Sequence, residues 1–319
     1  MRKSSTLNFK QFKPVHWLYN IFHYKELRHN KEAFRKFNIH KPLIGSISSR
    51  DFPDKESKAW LDLGNSRILA PSKESFKQFP LAIQEKILSW TDQGYIILES
   101  FIDPETCDTV NHEIERMLDN RTIKFTNLNK LMFAHKKSKL ISDIAHKKEF
   151  LDILNFLLGK EVVLFQTINF ITGSEQHAHS DSIHMTTYPL GFLIAGWLAL
   201  EDVTAENGPL FYYPGSHRLP YLLNADFNEG ETIFKLGKKK YSDYETLVEK
   251  EIQLNKFPKK EFFAKKGDLL IWHANLLHGG APIIDKKSTR KSMVMHYYAK
   301  DVIKYHDITE RPSLLDGDD

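Results

Sequence analysis

A single cysteine, Cys107, stands in the 319 residues. One thiol excludes an intrachain disulfide and any cysteine-built zinc or iron–sulfur site, and it points to a reducing compartment. No apolar run approaches the roughly 18 residues that a bilayer-spanning helix takes. The N-terminus Met1-Arg2-Lys3 is basic, but no secretory apolar segment follows it. The patch Trp17-Leu18-Tyr19-Asn20-Ile21-Phe22 is short and broken by Asn20. These absences predict a cytoplasmic protein. Net charge is also scarce: 45 Lys and Arg oppose 41 Asp and Glu, leaving +4, too little to argue for a nucleic-acid partner. Gly (15) and Pro (13) are few beside 22 Phe, 12 Tyr and 5 Trp, which excludes a disordered chain and predicts a packed core.

The basic residues are unevenly spread. Runs occur at Lys136-Lys137-Ser138-Lys139, Lys238-Lys239-Lys240, Lys259-Lys260, Lys265-Lys266 and Lys286-Lys287. Solvated loops are the plain reading of such runs; attraction to an anionic substrate or membrane surface is the sharper one.

Residues 1–75 read as an N-terminal extension. Within 14–37, Trp17, Leu18, Ile21 and Phe22 have helical spacing. The apolar face so formed is expected to pack on the main domain, with a peripheral membrane contact as the alternative. Residues 76–305 form the main domain. Leu81 to Trp90 reads as a helix ending near Gly94, and Tyr95 to Leu98 as a strand. Asp103-Pro104 then supplies an N-cap and a first-turn proline for a helix carrying Val110, Ile114, Met117 and Leu118. Strands are predicted at Val162–Ile171, Gly191–Leu200, Pro209–Tyr213, Leu269–Trp272 and Met293–Tyr298. Short strands separated by turns suggest a sandwich or jelly roll. A Lys/Glu-rich insert at about 224–260 reads as a surface excursion with some helix, and 306–319 as an acidic tail.

The chemistry begins at His179-Ser180-Asp181. Side chains two apart on an extended chain share a side, so His179 and Asp181 could meet one metal ion. His278, in Leu277-His278-Gly279-Gly280, is the best third ligand. Two histidines and a carboxylate make the facial set of non-haem iron(II) oxygenases, which leaves open positions for cosubstrate and oxygen. Arg290 follows twelve residues after His278. An arginine suits a buried dicarboxylate because it grips a carboxylate with two parallel hydrogen bonds. Ser292 shares its face and could add a donor.

In company these residues resemble the phytanoyl-CoA dioxygenase family. The matching stretches are His179-Ser180-Asp181, Trp197-Leu198-Ala199-Leu200-Glu201-Asp202, Asn207-Gly208-Pro209-Leu210, Pro214-Gly215-Ser216-His217-Arg218, Gly267-Asp268-Leu269-Leu270, Trp272-His273, Leu277-His278-Gly279 and Arg290-Lys291-Ser292. The likeness covers roughly 80–300. It implies an α+β chain with a mainly β core, a double-stranded β-helix (jelly roll, cupin-like) with flanking helices. It implies iron(II) at His179, Asp181 and His278, 2-oxoglutarate at Arg290, and Trp197 and Gln166 beside that cosubstrate. It also implies a dioxygenase that hydroxylates a small-molecule or lipid-type substrate with O2. The carboxylate of Asp181 favours hydroxylation over halogenation, since related halogenases lack it. One departure stands out: the family commonly has serine two residues after the distal histidine, where this chain has Gly280. Ser292 is a candidate to replace that hydroxyl. His177 and His184 are expected in the second shell or against substrate. The rival readings are a cupin-like isomerase or hydrolase that uses no 2-oxoglutarate, and a non-catalytic binding protein on the same fold.

Overall fold

A computed structural model describes residues 12–126, 129–227, 232, 234–237 and 241–315. Its strands, in chain order, are β1 (Tyr95–Leu98), β2 (Phe125–Thr126), β3 (Lys130–Met132), β4 (Val162–Phe170), β5 (Thr186–Tyr188), β6 (Leu193–Ala199), β7 (Leu210–Tyr212), β8 (Lys260–Phe262), β9 (Leu269–His273), β10 (His278–Gly280), β11 (Ser292–Ala299), β12 (Ile303–His306) and β13 (Arg311–Pro312). They form a seven-stranded sheet in the order β1-β9-β6-β11-β4-β3-β2 and two three-stranded sheets, β10-β7-β8 and β13-β12-β5. All pairings are antiparallel.

The period-2 alternation of strand side chains divides the large sheet into two faces. Ile194 and Leu198 of β6, Leu269 and Ile271 of β9, and Met293, Met295 and Tyr297 of β11 face a helical layer. They pack there with Cys107, Val110 and Ile114 of the helix Pro104–Asp119 and with Phe150 and Leu154 of the helix Lys148–Leu158. The alternate residues, Trp197, Leu270, Trp272 and Val294, pack against Leu210, Tyr212 and Phe262 of the β10-β7-β8 sheet. β4, β6, β9 and β11 are buried along their whole length, and burial on both faces explains why they are mostly apolar. The predicted entry is present: the helices Leu81–Leu88 and Trp90–Gln93 end at Gly94 in the left-handed region (φ 76°), and the Asp103 side chain accepts from Thr106 N.

Three expectations need correction. The insert is more than a surface excursion, because Tyr244, Val248 and Ile252 of its helix Tyr241–Asn255 are buried against Ile183, Phe211 and Leu277. Its Lys238–Lys240 run lies outside the described residues. The segment from 306 is built into the body as far as Leu315: β13 pairs with β12, and Asp307, Glu310 and Ser313 are buried. Only 316–319 of the expected acidic tail fall outside the described residues. Thirdly, the helix Lys13–Phe22 turns Lys13, His16 and Asn20 inward, and its apolar face is exposed.

The rest of the N-terminal region is anchored by apolar and polar contacts alike. Ala33, Phe34, Ile47 and Phe52 pack with Tyr188, Ile303 and Tyr305, and the Phe52 and Tyr188 rings stack at 4.1 Å. Asp62 accepts hydrogen bonds from Ser57 and from His273 Nε2, which ties residues 57–62 to the end of β9.

Several buried or half-buried histidines favour their neutral form, which sets an acid limit on stability. Burial lowers His29 to about 4, with Lys304 adding to the effect. It lowers His306 to about 4 and, with His273 alongside, His217 to about 3. Each has a folded pKa below its unfolded value, so its contribution is complete above the ordinary histidine range and is lost as pH falls through that range toward 4. The loss is on the order of 3 kcal/mol per group at its limit. Chemical denaturation at stepped pH is expected to show stability falling from about pH 6.5 downward. A flat profile between about pH 7 and pH 5 would contradict it.

Candidate metal centre and cosubstrate pocket

His179, Asp181 and His278 come together with their ligand atoms all within 4.8 Å of one another, and all three residues are buried. The backbone brings them there by a route the strand argument did not foresee. Residues 176–180 form no named strand; His179 makes one isolated bridge to His278, with both N–H···O distances at 2.9 Å. Asp181 then opens a short 3-10 turn, Asp181–Ile183. A bridge and a turn, more than alternation along a strand, aim the two side chains at one point.

The surroundings prepare these groups for a cation. His179 Nδ1 lies 2.9 Å from the His177 carbonyl, and His278 Nδ1 lies 2.9 Å from the Leu276 carbonyl. A carbonyl only accepts, so each Nδ1 donates to it and each Nε2 is the ring nitrogen turned to meet a metal. Trp272 Nε1 donates to Asp181 Oδ2 at 2.8 Å, and His296 Nε2 lies 3.5 Å from the same oxygen. That leaves Oδ1, which is 3.7 Å from His278 Nε2, facing the cluster. Burial alone would raise the Asp181 carboxyl, but His278 and His296 beside it outweigh burial and hold it well below the usual range. Burial lowers His179 well below its ordinary value, with His278 adding to the shift. An ionised carboxylate and imidazole nitrogens that make no backbone hydrogen bond are the donors that coordinate a divalent ion.

A cavity of about 370 Å³ opens on this cluster and is also lined by Gln166, Trp197, His184 and Arg290. Arg290 is 2% exposed, and its guanidinium lies 5.3 Å from the Trp197 ring and 5.9 Å from that of Phe170. Among the described residues its Nε has no hydrogen-bond partner. Burial lowers its pKa to about 10, opposed by Glu201. A buried guanidinium without a bonded anion is unfavourable in isolation, so the donor set fits a carboxylate-bearing ligand. Ser292, on the Arg290 side of β11 by alternation, is fully buried and its hydroxyl is also unpartnered.

The remaining expected residues divide. Gln166 lines the cavity, with Nε2 3.3 Å from His296 Nδ1. The His184 ring lines it too, with Nε2 3.2 Å from the Tyr241 hydroxyl, and burial lowers its pKa to about 4. The His177 side chain is exposed, and only its carbonyl serves the cluster. His273 and His217 stay outside, bonded to Asp62 and the Thr91 carbonyl. Gly280 has a local cause: a Cβ there would lie 2.5 Å from Ser174 Oγ and 3.0 Å from Glu175 N. Ser174 itself lines the cavity.

Other contributors were assigned no role from the sequence. His296 shares the inward side of β11 with Arg290, so the alternation that marked Ser292 could have found it. Trp272 stands in the family-like Trp272-His273 stretch, and Lys130 gave no comparable signal. Lys130 lines the cavity and has no bonded partner among the described residues; burial lowers its pKa while Asp181 raises it. Tyr244, from the insert, accepts from Ser180 N at 2.9 Å, between His179 and Asp181. The basic runs, by contrast, meet acidic neighbours at the surface: Lys139 with Asp143, Lys259 with Glu261, Lys265 with Asp202, Lys266 with Asp108 and Lys286 with Glu175.

Comparison with known proteins agrees with this geometry. The chain is 25% identical over 219 residues to an ectoine dioxygenase of Nocardia farcinica, covering 62% of this chain and 72% of that protein. It is 22% identical over 190 residues to phytanoyl-CoA dioxygenase domain-containing protein 1 of Danio rerio, covering 42% and 65%. Among solved structures it shares the fold of the non-heme alpha ketoglutarate dependent carbocyclase SnoK from nogalamycin biosynthesis, with TM-score 0.58, 16% identity and coverage of 76% and 90%. It likewise matches EctD from S. alaskensis with 2-oxoglutarate and 5-hydroxyectoine, with TM-score 0.52, 21% identity and coverage of 80% and 87%. The sequence profile of Phytanoyl-CoA dioxygenase (PhyH) matches residues 90–292, and this chain therefore belongs to the phytanoyl-CoA dioxygenase family.

Proposed function

We propose that this protein is an iron(II)- and 2-oxoglutarate-dependent dioxygenase, on a double-stranded β-helix core, that hydroxylates an unactivated C–H bond of a small-molecule or lipid-type substrate. The observation that carries the reading is the pairing of a His179–Asp181–His278 cluster with a buried, anion-less Arg290 in one cavity. A cupin-like isomerase or hydrolase that used no keto acid would have no need of that arginine.

When both are bound, iron and 2-oxoglutarate supply the oxidising chemistry: O2 is consumed, the keto acid loses CO2 to become succinate, and one oxygen atom enters each of succinate and the C–H bond. The chain's own residues do the positioning. His179 and His278 offer Nε2, and Asp181 offers Oδ1 while Trp272 holds Oδ2. Arg290 receives the distal carboxylate of the keto acid, against Trp197 and near Gln166. Lys130 adds a second positive charge to the cavity that an anionic ligand would offset. His184 and His306 line the cavity without serving the proposed metal or keto-acid positions, and they are left for substrate.

The test is succinate release from 2-oxoglutarate with iron(II) under air, screened against acyl thioesters, amino-acid derivatives and sugar derivatives. Substrate-stimulated succinate together with a product one oxygen atom heavier supports the hydroxylase. The fold also hosts a carbocyclase, so succinate with a product of another mass would keep the oxidative class and reject hydroxylation. No stabilisation of the protein by 2-oxoglutarate and no turnover with any substrate would reject the whole reading.

Two hydroxyls are placed to replace the serine missing at 280. Ser292 is unpartnered on the Arg290 side of β11, and Ser174 fills the space over Gly280. Ser292→Ala is expected to weaken 2-oxoglutarate binding by about tenfold, one neutral-to-charged hydrogen bond. Isothermal titration decides it. An unchanged affinity for Ser292→Ala with a loss in Ser174→Ala would move the role to Ser174.

A further inference from the structure

The helix Lys13–Phe22 is amphipathic in the unusual sense: its polar side is the buried one. Lys13 Nζ pairs with Glu310 at 2.5 Å, Trp17 Nε1 donates to Ser46 Oγ at 3.0 Å, and Asn20 Nδ2 donates to the Ile44 carbonyl at 2.9 Å. At 100° per residue these three and His16 fall on one arc, and Val15, Leu18, Tyr19, Ile21 and Phe22 fall on the opposite one. That opposite arc faces water. Phe22 is 79% exposed, Leu18 58% and Ile21 53%. Of the fourteen large apolar side chains exposed among the described residues, six fall between Val15 and Tyr24. Single exposed apolar residues are ordinary, but six clustered on one helix and the turn after it mark a contact surface. Phe234, 59% exposed, lies beside this helix with its ring 6.4 Å from that of Trp17.

Charge identifies the partner. Residues 1–41 carry ten Lys and Arg against two Glu, a net +8, whereas the whole chain is +4 and the remaining 278 residues are therefore −4. Lys25, Arg28, Lys31, Arg35 and Lys36 are exposed on the turn and helix that follow the apolar patch. Apolar side chains projecting outward between exposed cations are what an anionic bilayer surface takes: the apolar arc enters the acyl boundary and the cations meet lipid phosphates. A second copy of this chain fits poorly, because a symmetric contact would bring the two +8 regions together.

We propose that the exposed face of Lys13–Phe22 and the cations after it dock this protein peripherally on an anionic lipid bilayer. This docking does not depend on the reaction assigned to the cavity. Phe234, beside this helix, belongs to the same insert that supplies Tyr241 beside His184, so one segment touches both the docking helix and the site.

The test is vesicle co-sedimentation of the full chain. The vesicles are phosphatidylcholine, with or without about 30% phosphatidylglycerol, at low and high salt. Binding to the anionic vesicles is expected to exceed binding to the neutral ones by about tenfold and to weaken with salt. Leu18→Asp/Phe22→Asp is expected to lose at least about tenfold of that binding, with an unchanged melting temperature because both side chains are exposed. Lys25→Glu/Arg28→Glu should lose the preference for anionic lipid. No sedimentation of the wild type with anionic vesicles would overturn the proposal. So would binding that survives both variants, or a concentration-dependent dimer abolished by Leu18→Asp/Phe22→Asp without vesicle binding.

Discussion

Asp181→Ala is expected to abolish iron(II) binding under anaerobic titration and to reduce succinate formation by about a thousandfold or more, to background. Three ligands become two, and the one lost is the only anion among them, so both coordination number and charge balance fail together. The substitution also strips Trp272 Nε1 and His296 Nε2 of their shared acceptor. Leaving such buried donors unmet costs about 1–3 kcal/mol, so a modest fall in melting temperature should accompany the loss. Asp181→Glu separates the two effects. It keeps the charge and an acceptor but moves the oxygen by one methylene, so it should restore stability more than activity. Retention of iron affinity by Asp181→Ala would place the metal elsewhere.

Arg290→Met carries the second large effect, and its two readouts move in opposite directions. Without ligand, the wild type holds a guanidinium that is 2% exposed with no bonded anion, and methionine fills similar volume with no charge to desolvate. The ligand-free variant is therefore expected to be as stable as the wild type or more so, by about 1–3 kcal/mol. With 2-oxoglutarate the order reverses: the wild type gains stability by mass action, and the variant loses about a hundredfold or more in affinity. Thermal melting with and without 2-oxoglutarate reads both. A variant that is less stable when ligand-free yet still shifted by 2-oxoglutarate would make Arg290 a structural residue and remove the main support for the keto acid.

Much of the centre is legible in the amino-acid sequence, because its signals are local and periodic. His179 and Asp181 are two apart, Ser292 is two from Arg290, and Trp197 sits in an apolar run whose alternation assigns its face. His278 lies 97 residues beyond Asp181, and its assignment comes from residue type and the surrounding pattern. The main strands and the Gly94 and Asp103 boundaries follow from the same local chemistry, since caps, turns and faces depend on residues only a few positions apart.

What tertiary structure alone decided are the contacts between segments that no local pattern relates. Trp272 grips Asp181 across 91 residues, and Tyr244 reaches Ser180 from an insert whose charged composition reads as surface. Lys130 enters the cavity from a three-residue strand too short to give a periodic signal. The helix Lys13–Phe22 shows the division most sharply. The sequence by itself predicted an amphipathic helix with Trp17, Leu18, Ile21 and Phe22 at helical spacing, and of these Trp17 instead joins the polar side. Only the positions of Glu310, Ser46 and Ile44 determined that the polar face is the buried one, because buried polar groups must find specific partners and those partners lie far away in the chain or in a separate loop.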